Sequence, residues 1–404
     1  MLAATSSMFS QLVIKGQIIP RTEYSHGYKA LAAPDQDASL FTAQRSRLIF
    51  NYSAEKYKVG LVLQDVRAWG SQEQLVKNED YATSVHEAWA EVMFTDKFSL
   101  KAGRQEVVYD DHRIFGNVGW APQARSHDMA IFKYEDAVKI HFGLAYNQDD
   151  DIKTNLYTVE KSYKAMQFAW FNKKTENLNF SFLLLNNGKA FIEFDDDGTL
   201  EQTIQYSQTL GPRIVYKAGK LGASLNFYYQ MGKDGADRDI SAYDLGVDIS
   251  FKASDMLSFN AGIELLSGTA YDETDNKSFT PFYGTNHKFN GFMDYFYVGN
   301  HVGSVGLQDI YVKGKFKKGK VFAAGHVHLF SAAADLNDGF DRALGTEIDL
   351  FGGYTLTKEV NIKLGYSHML GTESMTKLRG GDDGETSNWA WLMLTVTPTF
   401  FSGK

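Results

Sequence analysis

The segment Tyr243 to Leu265, YDLGVDISFKASDMLSFNAGIEL, alternates apolar and polar side chains almost without lapse. Tyr243, Leu245, Val247, Ile249 and Phe251 interleave with Asp244, Gly246, Asp248, Ser250 and Lys252. After Ala253-Ser254-Asp255, Leu257, Phe259, Ala261, Ile263 and Leu265 resume the pattern against Ser258, Asn260, Gly262 and Glu264. A period of two belongs to a strand with one oily and one wettable face. The same pattern recurs at about 12–24, 41–54, 57–69, 83–94, 98–108, 127–135, 137–147, 164–173 and 177–187. It continues at about 203–216, 219–230, 239–253, 256–269, 304–315, 318–330, 344–356, 359–370 and 386–400. That makes about eighteen strands, an even number.

Soluble sandwiches also alternate, so strand length decides. Strands average about 5–6 residues in globular proteins, whereas membrane strands need about 9–11. Many segments here reach ten or more. Connections alternate as well: Ala54-Glu55-Lys56, Thr95-Asp96-Lys97, Lys174-Thr175-Glu176 and Lys217-Ala218 are short. Asn147 to Tyr163, Gly188 to Gln202, Ala270 to Gly303 and Gly371 to Glu385 are long and polar. Short periplasmic turns and long outer loops belong to a transmembrane antiparallel up-and-down β-barrel, here one domain over 1–404, with both termini on the short-turn side. No helical stretch is expected. Pro212 and Pro398 are expected near the turn rim, where a missing ladder bond is tolerated; Pro20 has no comfortable place.

Composition agrees. Mean hydropathy is −0.31 and no run approaches the roughly 20 apolar residues of a membrane helix. Barrel strands show lipid only every second residue, which keeps the average low. Aromatics at 14%, 36 Gly against 6 Pro and no Cys fit the same class. The first ten residues have neither a basic stretch nor an apolar core, so a secretory leader is expected to be missing here. A net charge of −8 argues mildly against nucleic acid.

Placing the polar parity inside puts Lys15, Arg21, Arg45, Arg47, Arg67, Arg104, Lys139 and Arg213 in the lumen along the first half of the chain. Asp244, Asp248, Glu264, Asp309, Glu347 and Asp349 mark the second half, so a basic wall facing an acidic one is expected. Asp65, Glu87 and Glu91 stand among the arginines as pairing carboxylates. Guanidinium forks match carboxylate or phosphate, which nominates Arg45, Arg47, Arg67 and Arg104 for anion selectivity. The aromatic connection SFTPFYGTNHKFNGFMDYF is expected to tuck into the mouth, with Tyr283, His287, Lys288 and Asp294 as a constriction loop; an external cap is the alternative.

Other chemistry is weaker. His326 and His328 in GHVHLF share an inward face near Ser331, which leaves no lipid-facing Ser-His pair for hydrolysis. Two histidines without a third ligand make a poor metal site, so none is assigned. Asp149-Asp150-Asp151, Asp195-Asp196-Asp197 and Asp335 to Asp341 are candidate calcium loops, although Thr346 stands where a calcium loop ends in Glu. The default for them is loop tips facing lipopolysaccharide, with divalent ions between. No cofactor is expected.

KAGRQEVVYDDHRIFGNVGW (Lys101 to Trp120), followed by Gln123, Arg125 and Asp128, resembles the alginate-export family of outer-membrane proteins. LQDVRAWG (Leu63 to Gly70), FYGTNHKFNGFMDYF (Phe282 to Phe296) and NWAWLMLTVTPTFF (Asn388 to Phe401) are similar to it too. The resemblance implies an eighteen-stranded barrel with an arginine constriction for an anionic polyuronate, and Arg67, Arg104, Arg113 and Arg125 as its pore arginines. Exporters of that family carry extended loops at both ends, whereas every turn-side connection here is short. The expectation is therefore a Gram-negative outer-membrane porin, not an enzyme, passing small hydrophilic anions or saccharides. Export of an anionic polysaccharide is the alternative, or a barrel subunit of a larger envelope assembly.

Overall fold

The computed structural model describes residues 11–75, 83–148, 163–194, 197–301, 303–337 and 339–403. The calcium candidates Asp149-Asp150-Asp151 and Asp195-Asp196, and the segment Met1 to Ser10, lie outside them. The strands are β1 (Gln11–His26), β2 (Ser39–Ser53), β3 (Tyr57–Ala68), β4 (Thr83–Met93), β5 (Phe98–Gln105) and β6 (His127–Glu135). Next come β7 (Lys139–Tyr146), β8 (Ala165–Lys174), β9 (Leu178–Phe194), β10 (Leu200–Ala218), β11 (Leu221–Lys233), β12 (Asp239–Lys252) and β13 (Leu257–Leu266). The set ends with β14 (Leu307–Lys318), β15 (Val321–Ser331), β16 (Ala343–Thr355), β17 (Val360–Gly371), β18 (Ser387–Val396) and β19 (Thr399–Ser402).

From β1 to β18 each strand pairs antiparallel with its chain neighbour, and β1 pairs with β2 on one side and β18 and β19 on the other. The sheet closes, so no edge is left to face lipid with unpaired amides. β18 and β19 are one strand interrupted at Thr397-Pro398, where the Gly16 amide donates to the Pro398 carbonyl at 2.9 Å. Counted so, the barrel has the eighteen strands that the alternation predicts.

The prolines find their places through missing rungs. The β1–β18 ladder passes through Ile18 and Arg21 but not Pro20. The β10–β11 ladder likewise skips from Leu210 to Arg213, past Pro212. Pro212 lies deeper in β10 than the turn rim where the sequence puts it.

Ile249, Phe251, Val312, Leu364 and Leu392 stand exposed on the outer face, while Asp244, Glu264, Asp309, Glu347 and Asp349 are buried on the inner one. Reversing the faces would set charges in hydrocarbon, at about 2–4 kcal/mol for a midplane Lys or Arg.

Two expectations change. The connection over Gly188 to Gln202 is largely strand, because β9 runs on to Phe194 and β10 starts at Leu200. Helix also occurs, in the loops: α1 (Val298–His301) and α2 (Glu373–Arg379). α2 is signalled locally. The Thr372 side chain accepts the Met375 amide, Glu373 sits in the first turn, and Gly380 closes the helix at a positive φ.

Candidate functional site

Eighteen strands enclose a lumen too wide for wall side chains to fill, and two connections fold into it. One joins β5 to β6 (106–126) and the other β13 to β14 (267–306). They clasp each other through the backbone: the Gly116 amide donates to Tyr283 O at 2.8 Å and the Thr285 amide to His112 O at 2.9 Å. Arg125 donates to Gly284 O at 3.1 Å, and Val118 N to Thr285 Oγ1 at 3.0 Å. Gly284 is required here, since a Cβ would lie 2.2 Å from the Arg113 carbonyl.

The aromatics of both connections complete an apolar core against the inner faces of β6 to β9. Phe115 and Tyr283 stack at 5.9 Å, and Tyr109 packs on Phe168 and Trp170. Met129, Ile131, Leu183 and Leu185 belong to the same cluster. Burial raises the Tyr109 and Tyr283 phenols, so both stay neutral hydrogen-bonding groups. The connection 267–306 thus packs inside the barrel, and a second loop joins it.

Arg113 pins this plug to the acidic wall. Its guanidinium is 1% exposed; Nε lies 2.8 Å from Glu264 and 3.7 Å from Asp244. Nη2 donates to Asn290 Oδ1 at 3.1 Å, and the Asn290 amide passes on to Glu264 at 2.7 Å and Asp309 at 3.3 Å. Phe289 caps the guanidinium face at 4.5 Å. Nearby, Arg213 holds Asp111 at 2.7 Å, and Lys288 donates to the Asp111 carbonyl at 2.9 Å. Asp248 is bound by Asn260 and Tyr311. Further round, Glu347 Oε1 accepts the Phe292 and Met293 amides of the loop at 2.5 and 2.8 Å.

The adjoining side, β17, β18, β1 and β2, leaves space. Trp120, at the end of the first loop, lies under Arg21, whose guanidinium sits 4.0 Å above the ring and 2.8 Å from Glu23. His287 stacks on the other side of Trp120 at 4.6 Å and is held by Asp294 at 2.9 Å. Asp294 also accepts the Tyr28 hydroxyl. Above this stack is a chamber of about 560 Å³ lined by Arg21, Glu23, Lys29, Arg125, His287 and Asp294 among others. Toward the turns is one of about 260 Å³, whose charged lining residues are Arg21, Arg45 and Lys363. The two share Arg21, Ala43, Trp120 and Pro122, so Trp120 and Arg21 form the waist between them. Arg45 donates to Gly119 O at 3.1 Å, which sets the loop against this wall. Burial lowers Arg125 and Lys288 from their ordinary values, against a raising effect of Asp111 on Lys288.

The sequence-predicted residues divide sharply. Arg45, Arg47, Arg113, Arg125, Glu87, Glu91, Asp244, Asp248, Glu264, Tyr283, His287, Lys288 and Asp294 point into or lie within the lumen. Arg47 is held by Gln64 at 2.7 Å and Glu106 at 3.6 Å; Glu91 pairs with Lys133 at 3.0 Å; Glu87 accepts from Trp89. Arg67, Asp65 and Arg104 do not face the lumen.

Register settles their placement. Arg45 lies opposite Val66 and Arg47 opposite Gln64, so Asp65 and Arg67 share the outer face with Leu61 and Leu63. They form a bidentate pair at 2.7 and 2.8 Å. Arg104 lies opposite Ala88 and Asp128, on the face of Phe132, and pairs with Asp128 at 2.7 Å with both side chains exposed. Asp335, a calcium candidate, is taken by Arg342 at 2.8 Å. Sequence reasoning missed Lys363, although its parity with Ser367 in NIKLGYSH marks it as inward.

No protein-family model matches the chain, and no curated protein does. Solved structures do. OpdK of Pseudomonas aeruginosa, solved with vanillate, superposes with a TM-score of 0.62 at 11% identity, covering 96% of this chain and 99% of that one. OccAB4 of Acinetobacter baumannii gives 0.63 at 11% identity, over 96% and 98%. OccK5 (OpdH) of P. aeruginosa gives 0.62 at 11% identity, over 96% and 99%. The eighteen-stranded barrel implied by the resemblance is thus matched across nearly its whole length, but by Occ and Opd proteins; none of these is an alginate exporter. At these identities the likeness is one of fold: a closed antiparallel outer-membrane barrel.

Proposed function

We propose that this chain is an outer-membrane channel for passive diffusion of small hydrophilic anions along the β1, β2 and β18 side of its lumen. One observation carries the reading: a chamber whose lining holds Arg21, Arg45 and Lys363 and no carboxylate, just below the waist at Trp120. An anion leaving water exchanges its hydration shell for several weak cationic contacts, enough to enter without being trapped. The carboxylates of β12 to β16 are engaged by Arg113 and loop groups, which lessens their repulsion of an anionic solute. Vanillate, the carboxylate named with one of the similar barrels, is of the size and charge that suits such a chamber. A uronate polymer, the cargo that the alginate-export resemblance implies, also carries carboxylates. Two small chambers joined at a waist favour monomeric solutes over it. The test is reconstitution in planar bilayers with reversal potentials in a KCl gradient. Anion preference that K363E diminishes supports the proposal; a cation-preferring or closed barrel overturns it.

A further inference from the structure

The sequence offers two histidines one strand step apart, His326 and His328, and no third ligand beside them. The closed sheet supplies one. β15 pairs with β16 so that His326 faces Asp349 and His328 faces Glu347. All four side chains lie on the inner face, beside the loop residue Phe292, whose ring is 5.3 Å from that of His326. The ligating atoms of His326, His328 and Asp349 fall within 4.8 Å of one another.

Two features single out this trio among the inward polar groups. The first is orientation. His328 Nδ1 lies 2.9 Å from both oxygens of Asp309. A carboxylate only accepts, so Nδ1 carries the proton and donates it. The Nε2 of a neutral ring then has only a lone pair, and it points at Asp349 Oδ2 at 4.0 Å. Two acceptors aimed at each other at that distance repel, unless a cation lies between them. Metal-bound imidazoles usually have such a carboxylate behind them, taking the proton of the other ring nitrogen and fixing the tautomer.

The second feature is an accounting of buried atoms. Asp349 is 0% exposed; Oδ1 accepts from Ser367 at 2.5 Å, while Oδ2 is met by no donor and neighbours the Glu347 carboxyl, whose Oε2 is likewise without one, so two carboxylates share the place with a proton or a cation. His326 Nδ1 is buried without a partner too. Buried polar atoms are otherwise almost always satisfied, and a bound ion is one recognised reason when they lack a protein partner. Lys313 stands opposite His326, with its ammonium 4.2 Å over the Tyr311 ring. It is a competing cation, and the aromatic contact engages it.

We infer that His326, His328 and Asp349 form a binding site for a borderline divalent cation of the Zn²⁺ class on the lumen wall, with Asp309 orienting His328. Two imidazoles and one carboxylate suit zinc, cobalt or nickel better than calcium or magnesium, which want oxygen alone. Water fills the remaining position. A second cluster among the described residues, His86 with Glu87 and Glu106, differs because His86 Nε2 already bonds Glu106 at 2.8 Å. The site does not depend on which solute the barrel passes.

The experiment uses the full chain, purified in detergent, stripped with chelator, and titrated with Zn²⁺ by calorimetry and with Co²⁺ by visible absorption. One ion per chain is expected, with low-symmetry Co²⁺ bands. Affinity should fall at least tenfold in H328A and in D349N, and about 10–100-fold in D309N with the stoichiometry kept. H86A should change nothing. Heat-modifiable migration of each variant checks that the barrel is intact. Wild type binding no more Zn²⁺ than the H328A/D349N double variant overturns the inference. So does binding that survives H328A but is lost in H86A.

Discussion

The two walls of the lumen are built by the same alternation but carry opposite charge, carboxylates on β12 to β16 and cations on β1, β2 and β17, and they do different work. On β12 to β16, Asp244, Glu264, Asp309 and Glu347 are buried and engaged: by Arg113, by Asn290, by His328 and by the Phe292 and Met293 amides. That wall anchors the plug. On β1, β2 and β17, Arg21, Arg45 and Lys363 border open space. The parity of a charge in a strand therefore tells where it points, not what it does. Loop groups touch both walls, through Arg113 and the Phe292 and Met293 amides on one and through Trp120 and the Gly119 carbonyl on the other; what separates them is that only the cations still border open space.

The largest effect should come from breaking the anchor. Arg113→Ala leaves Asp244 and Glu264 buried without a cation, a loss of about 3–5 kcal/mol for a pair this enclosed. The thermal midpoint in detergent should drop clearly, and single-channel current should rise and become noisy as the clasped loops loosen. Arg113→Lys keeps the charge but not the fork, so it should fall between. An Arg113→Ala barrel with wild-type stability and quiet current would mean that the acidic wall does not hold the plug.

Next in size is the selector wall. Lys363→Glu puts a carboxylate beside Arg21 and Arg45, and the reversal potential should move toward cation preference with little change in stability. Glu264→Gln, on the anchoring wall, should do the opposite: lower stability with selectivity nearly kept. If both variants shift selectivity equally, the distinction between the walls fails.

A smaller effect is expected from acid. His301 is buried in the second loop, where Nε2 meets the Gly306 carbonyl at 2.9 Å and Nδ1 meets Arg379 of α2. Burial, with Arg379 adding to it, lowers its pKa to about 3. The folded chain thus keeps it neutral, while the unfolded chain protonates it near its ordinary value of about 6.5. Stability from this group is intact above that value and declines as pH falls toward 3, because the unfolded state binds the extra proton. Protease resistance of the loop should fall over that window, and less steeply in His301→Gln.

Much of this was legible in the sequence. Eighteen alternating segments fix the barrel, because one misassigned parity would set charges in lipid. The aromatics of SFTPFYGTNHKFNGFMDYF marked that connection as one that packs, but left a loop in the mouth and an external cap both open. What escaped needs pairing information. His326 and Asp349 are 23 positions apart, and only the β15–β16 register brings them together. Arg113 carries no strand parity at all, and only family resemblance singled it out. Asp65, Arg67 and Arg104 were misassigned for a physical reason. They sit toward the loop ends of β3 and β5, where the outer face turns polar as well, so a charge there no longer marks the inside. A β-bulge near His86, opposite Val62 and Leu63, further breaks the count between neighbouring strands.

The outer-face arginines give the smallest effect and the sharpest check on the register. Both Arg67 and Arg104 have carboxylate partners on their own face, at 2.7 Å to Asp65 and Asp128. Exposed pairs of this kind contribute little to stability. Neither borders the chambers, so Arg67→Ser with Arg104→Ser should leave the reversal potential where it is in the wild type. Arg45→Ser, one residue on the inner face of β2, should move it. Selectivity lost in the outer pair and kept in Arg45→Ser would place the anion path elsewhere, and would mean that β3 and β5 present the opposite faces.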